Sequence, residues 1–139
     1  MRARAAALAA TLLIGLALLS VASGAVAQTF TNRNVNMRAG PDRVFPMVTW
    51  LPPNTQVRVL GCTSDWRWCD VVAGRNRGWV HVSYLSNVSR RRTPIVTFSV
   101  GSYWDLYYRN RPWYSSRAAW VDWGRPSWRP PPPPPRGPW

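Results

Sequence analysis

The chain contains neither lysine nor glutamate, and its 139 residues include one histidine, His81, and two cysteines, Cys62 and Cys69. All five acidic residues are aspartates. These shortages remove most routes to catalysis. General acid–base work needs paired carboxylates or a histidine with a carboxylate, and nucleophilic catalysis needs a hydroxyl or thiol beside a positioned base. With so few of these parts the expectation is a protein that is not an enzyme and acts by binding. The two cysteines have no further ligands close by in sequence to complete a zinc set, so no metal and no cofactor is expected.

Positive charge, by contrast, is abundant. All 18 basic residues are arginine, and the formal net charge is +13. Residues 1–27 read as a signal peptide: Arg2 and Arg4, then an apolar stretch from Ala5 to Val21, then Ala25-Val26-Ala27, a small-x-small end suited to cleavage after Ala27. The apolar stretch approaches the length of a membrane anchor, about 20 residues, but its Ala, Gly and Ser content favours cleavage. Losing Arg2 and Arg4 leaves 16 minus 5, or +11, on the mature chain, which is expected to be periplasmic or secreted. Residues 87–139 carry nine arginines against two aspartates, so the tail is the more basic end. Such a field steers anionic partners. An even cysteine count in an oxidising compartment implies one bridge, Cys62 to Cys69.

From Val35 to Leu85 short apolar-rich runs alternate with turn residues, and no helical period competes. Strands are expected at Val35–Arg38, Met47–Leu51, Gln56–Gly61, Arg67–Val72 and Gly78–His81, with a one-turn helix at Val82–Leu85. Ala39-Gly40-Pro41-Asp42, Pro52-Pro53-Asn54, Thr63-Ser64-Asp65 and Ala73-Gly74-Arg75-Asn76 supply the turns. Val57 and Val59 share one strand face and should enter the core. A hairpin through Thr63–Trp68 sets Cys62 across from Cys69 within bridging distance.

The run Val35-Asn36-Met37-Arg38-Ala39-Gly40-Pro41, then Leu51-Pro52-Pro53-Asn54-Thr55-Gln56-Val57-Arg58-Val59-Leu60, resembles the opening of bacterial SH3 (SH3b) domains. Asp65-Trp66-Arg67-Trp68-Cys69-Asp70-Val71 looks like the Trp-bearing strand of that family, and Arg77-Gly78-Trp79-Val80-His81-Val82-Ser83-Tyr84-Leu85 like its closing signature. The resemblance implies an all-β fold, a small SH3-like barrel of five to six short antiparallel strands at residues 28–86. It implies a targeting module for cell-wall peptides or a part of an envelope protein. By position in such barrels, Trp66 and Tyr84 would form the aromatic wall of a ligand groove, with Asp42 in the facing loop and Trp79 in the core. Where eukaryotic SH3 domains keep a proline to grip polyproline ligands, this chain has His81.

Residues 87–101 read as a basic linker, with Arg90-Arg91-Arg92 and an alternating run from Pro94 to Val100 able to add a strand. Residues 102–139 read as an Arg-, Trp-, Tyr- and Pro-rich tail, largely irregular, with a short helix opened by a capping box at Ser102–Asp105 and ended by Pro112. Pro130–Pro135 should favour an extended polyproline rod. Arginine interleaved with tryptophan suits an anionic surface, because indole prefers the headgroup zone and guanidinium meets phosphate. Arg90, Arg91, Arg92, Arg109, Arg111, Trp113, Trp120 and Trp123 are the candidates for that contact. The expected partners are thus a cell-wall peptide or envelope protein at the barrel and an anionic lipid or polymer at the tail, export arguing against nucleic acid. The alternative is a structural or assembly protein whose tail packs on the barrel or on another subunit.

Overall fold

The computed structural model describes residues 27–133. The expected signal peptide up to Val26 and the end of the proline run, Pro134 and Pro135, lie outside the described residues. Seven strands form one antiparallel sheet: β1 Thr29–Thr31, β2 Val35–Arg38, β3 Met47–Leu51, β4 Gln56–Cys62, β5 Trp68–Ala73, β6 Asn76–His81 and β7 Leu85–Ser86, in the order β3-β2-β6-β5-β4-β1-β7. A single 3-10 turn at Val82–Tyr84 joins β6 to β7. The two strands beyond the expected five, β1 and β7, are too short to show an alternating pattern, and they pair with each other. Thr31 secures them: its hydroxyl donates to the Pro52 carbonyl (2.7 Å) and accepts from the Thr55 amide (2.9 Å).

Alternation decides which side chains turn inward. Val35 and Met37 of β2, Val57 of β4, Cys69 and Val71 of β5 and Val80 of β6 are buried in the core, and Val59 packs half-buried against it. Gly78 lies where β6 crosses β2, and a Cβ there would sit 2.5 Å from Met37 Cγ and 2.7 Å from the Arg38 carbonyl oxygen. Only glycine permits that approach. Cys62 and Cys69 are paired in register across β4 and β5 and are joined by a disulfide.

The outer face of the sheet departs most from expectation. β5 is buried from Trp68 to Val71, and over its outward-facing Asp70 and the adjoining Trp79 of β6 residues of the 98–128 segment lie as a second layer. The tail is therefore not largely irregular. It forms helix α1 (Val100–Tyr107), a 3-10 turn at Pro112–Ser116 and a short helix α2 (Arg117–Trp120) around an aromatic cluster. Phe45 is its centre, stacked on Trp120 (4.9 Å) and edge-on to Phe98 (5.4 Å), with Trp123 at 5.0 Å. Trp79 is buried as expected, but beneath Phe98 and Tyr103 of this layer.

Two local expectations change for the same reason. The run from Pro94 to Val100 makes only a parallel bridge, Ile95 to Cys62, before Phe98 turns in between Phe45 and Trp79. Gly61 admits it, since a Cβ there would overlap the Val96 side chain. Helix α1 starts at Val100 rather than at a box headed by Ser102, and its N-cap residue, Ser99, makes no side-chain capping bond. Burial of Val100 and Trp104, four residues apart on one face, sets the helix in place of a cap.

Candidate functional site: a cationic aromatic groove

Cross-strand partners share a face, so the register of the sheet lays out its exterior. Trp68 pairs with His81 and Asp70 with Trp79 on β5 and β6, while Asn36 pairs with Trp50 on β2 and β3. The tail layer covers the Asp70–Trp79 half of this surface. Trp68, His81, Asn36 and Trp50 are left around an open cavity of about 330 Å³, completed by Arg33, Asn34, Arg38, Arg43 and Tyr84. Three guanidinium groups therefore share one cavity with three aromatic side chains. Among the described residues no carboxylate lines it.

Individual contacts fix the walls. The Arg33 guanidinium lies over the Tyr84 ring at 5.3 Å, and the rings of His81 and Tyr84 are 5.7 Å apart. Trp68 meets His81 edge-on at 5.3 Å. His81 Nδ1 accepts the Ser83 amide (3.3 Å) and pairs with the Ser83 hydroxyl (2.7 Å), so the neutral ring carries its proton on Nε2. Burial, then the charges of Arg67 and Arg43, hold His81 below its ordinary value. Trp50 is 52% exposed, a large indole left to solvent on the terminal strand of the sheet.

The covered half is built differently. Arg77 forms a two-pronged pair with Asp70 (2.7 and 3.2 Å), and the Tyr103 hydroxyl donates to the same carboxylate at 2.6 Å. The pair holds Arg77 above the ordinary arginine value, and burial pushes the Tyr103 phenol far up. Trp104 is fully buried and donates from Nε1 to the Ala39 carbonyl at 2.9 Å, while the Tyr108 hydroxyl donates to the Arg77 carbonyl at 2.8 Å. These contacts are structural.

Of the expected ligand residues Asp42, Trp66 and Tyr84, only Tyr84 lines the cavity. Asp42 turns its carboxylate to the Val44 amide (3.0 Å) and holds its own loop. Trp66, half-buried at φ 59°, lies under the Arg90 guanidinium at 5.2 Å. Arg33, Arg38, Arg43, Trp50, Trp68 and His81 were not among the expected ligand residues; the register of Asn36 against Trp50 is the signal that gathers them. The expected tail contacts divide. Arg90, Arg91, Arg92 and Arg109 are exposed. Arg111 is half-buried and donates to the Val48 carbonyl (3.2 Å) and the Asn76 amide oxygen (2.9 Å). Trp113 packs on Trp104 (4.7 Å) and Trp123 on Phe45 (5.0 Å), both half-buried. Trp120 is 4% exposed, so in this fold it serves the core and not a surface contact. Apolar area favours burial whenever a sheet face is open to receive it, and that outcompetes a headgroup role.

Together these features define a small antiparallel β domain with a structured aromatic annex. Residues 33–86 match the bacterial SH3 domain family (SH3_3), and this part of the chain is a bacterial SH3 domain. Among solved structures the chain is similar to NlpC2 from Trichomonas vaginalis, with 16% identity and a TM-score of 0.42 over 55% of this chain. It spans 27% of that chain. No curated protein matches the chain by sequence.

Proposed function

We propose that the protein is an exported, non-catalytic binding module of the cell envelope, whose barrel recognises a cell-wall peptide or a protein partner through the groove. The observation that carries this reading is a bacterial SH3 domain with an open groove walled by Trp50, Trp68, His81 and Tyr84. Bacterial SH3 domains commonly bind cell-wall ligands. The Cys62–Cys69 bridge suits a compartment outside the cytoplasm. A groove with one histidine, no carboxylate and no thiol lacks the partners for acid–base or nucleophilic work.

Packing of the tail on the barrel favours a second reading, an assembly protein without a wall ligand. In both readings the annex is structural, and affinity for anionic surfaces falls to the exposed Arg90-Arg91-Arg92 run. Sedimentation of residues 28–139 with purified peptidoglycan, and with phosphatidylglycerol vesicles, at low and physiological salt separates the readings. Retention on peptidoglycan that W50A/Y84A abolishes supports the groove. Vesicle binding that R90Q/R91Q/R92Q removes, and that fades as salt screens it, assigns the surface contact to the basic run. Failure to sediment with peptidoglycan at either salt overturns the wall-ligand reading in favour of a protein partner, at the groove or in an assembly.

A further inference from the structure

We propose that the groove is selective for an acidic peptide and holds it by its carboxylates; the inference rests on the binding-module reading and names the chemistry of its ligand. Charge accounting carries the argument. Each of the chain's five aspartates is engaged away from the groove: Asp42 with the Val44 amide, Asp65 with the Thr63 hydroxyl and Arg67 amide, Asp70 with Arg77 and Tyr103, Asp105 with Tyr114 and Arg117, Asp122 with Arg125. No acidic side chain is left to neutralise Arg33, Arg38 and Arg43. Arg43 makes no hydrogen bond or ion pair among the described residues, and Arg38 spends one N–H on the Phe45 carbonyl at 3.3 Å. Like charges lining one partly enclosed cavity repel, and an entering anion relieves them where field lines are focused by low-dielectric walls.

A guanidinium fork matches carboxylate and phosphate alike, so the rest of the groove decides between them. Asn34 and Asn36 each offer a donor and an acceptor, the complement of a peptide unit. Trp50 and Tyr84 add ring carbon to the lining, against which the apolar parts of side chains can pack. Neutral His81 adds a single N–H donor from Nε2. Guanidinium forks, amide pairs and rings together describe an acidic peptide better than a polyphosphate, which could accept from the amide N–H groups but has no donor for the amide oxygens and no apolar part for the rings.

The test is a titration of 15N-labelled residues 28–139 with the peptide Ala-Glu-Glu-Ala, with its fully amidated counterpart Ala-Gln-Gln-Ala-amide, and with inorganic polyphosphate. The acidic peptide is expected to shift the Nε–H signals of Arg33, Arg43 and Trp50 and to bind at least tenfold more tightly than the amide. R33Q/R43Q, at two exposed positions, is expected to weaken it at least tenfold with the rest of the spectrum unchanged. Equal binding of acid and amide, tighter binding of polyphosphate, or indifference to R33Q/R43Q each overturns the inference. If the acidic peptide fails while W50A/Y84A still abolishes retention on peptidoglycan, only the carboxylate assignment falls. If the acidic peptide binds and peptidoglycan does not, the assignment stands and the wall reading falls.

Discussion

Replacing Trp104 by alanine tests whether the C-terminal segment is part of the folded unit. The indole is fully buried, with Trp113 at 4.7 Å, Trp120 at 5.8 Å and Phe45 at 6.4 Å, and its N–H is bonded to the Ala39 carbonyl. Truncating a core Trp to Ala costs about 3–5 kcal/mol, and the carbonyl left without a partner adds about 1 kcal/mol. A domain of this size commonly has about 5–15 kcal/mol in all. Trp104→Ala should therefore lower the melting temperature by on the order of 20 °C, or leave the chain partly unfolded at ambient temperature. Trp104→Phe keeps a ring and loses the N–H, for about 1–3 kcal/mol. Leu106→Ala on the same helix, at a position 72% exposed, should stay within about 0.5 kcal/mol. Urea denaturation followed by near-ultraviolet circular dichroism reads all three. A Trp104→Ala midpoint indistinguishable from that of Leu106→Ala would refute the packed annex.

Two further outcomes follow from the barrel itself. The bridge closes a short loop, Cys62 and Cys69 being seven apart in sequence, so C62A/C69A should cost about 2.5 kcal/mol by the chain-entropy model; an unchanged urea midpoint would contradict this. His81 is held below its ordinary value of 6.5 by burial and then by Arg67 and Arg43, so the unfolded state takes up its proton first as pH falls. Its contribution is complete above about pH 6.5 and is lost as pH drops through the folded value. Melting temperatures between pH 5 and 8 should show a slope that His81→Gln flattens, and equal slopes in the two proteins would count against the assignment.

The barrel was legible because its signals are local. β2 and β3 begin and end where alternation and the flanking Pro and Gly turns place them, and the Cys62–Cys69 pairing follows from the length of the intervening hairpin. The annex was not legible, because what orders it is distant in the chain. Tyr103 is 33 residues from Asp70 and Trp104 is 65 from Ala39, and nothing near either residue announces the partner. An arginine- and tryptophan-rich composition is shared by surface-active tails and by aromatic layers that bury themselves, so composition left packing on the barrel as the alternative to a surface role and could not place its contacts. At the site, resemblance supplied Tyr84 but also Asp42 and Trp66, whose partners here are Val44 and Arg90. The groove needed the sheet register, since Arg38 ends β2 and Arg33 and Arg43 lie in the loops on either side of that strand, and they meet Trp50, Trp68 and His81 only when the strands are aligned.

The division of the outer sheet face bears on where the charge acts. Of the tail's arginines, Arg111 and Arg117 are drawn inward to Asn76 and Asp105, where they fasten one segment to another. A chain that writes arginine for every basic residue could scatter the surplus evenly. Here part of it is concentrated in two places: the groove, with Arg33, Arg38 and Arg43, and the exposed Arg90–Arg92 run, whose first member reaches over Trp66. Meanwhile the aromatic annex covers Trp79 and stops short of Trp50, Trp68 and His81. Sealing that half as well would bury three guanidinium groups with no carboxylate to pair them, a cost of several kcal/mol per ion that no aromatic contact offsets. Leaving it open therefore follows from the same electrostatics that suits it to an anionic ligand, and Trp50→Asp, which sets a carboxylate at the exposed rim beside the three arginines, should weaken the acidic peptide in the same titration, an unchanged affinity counting against the charge argument.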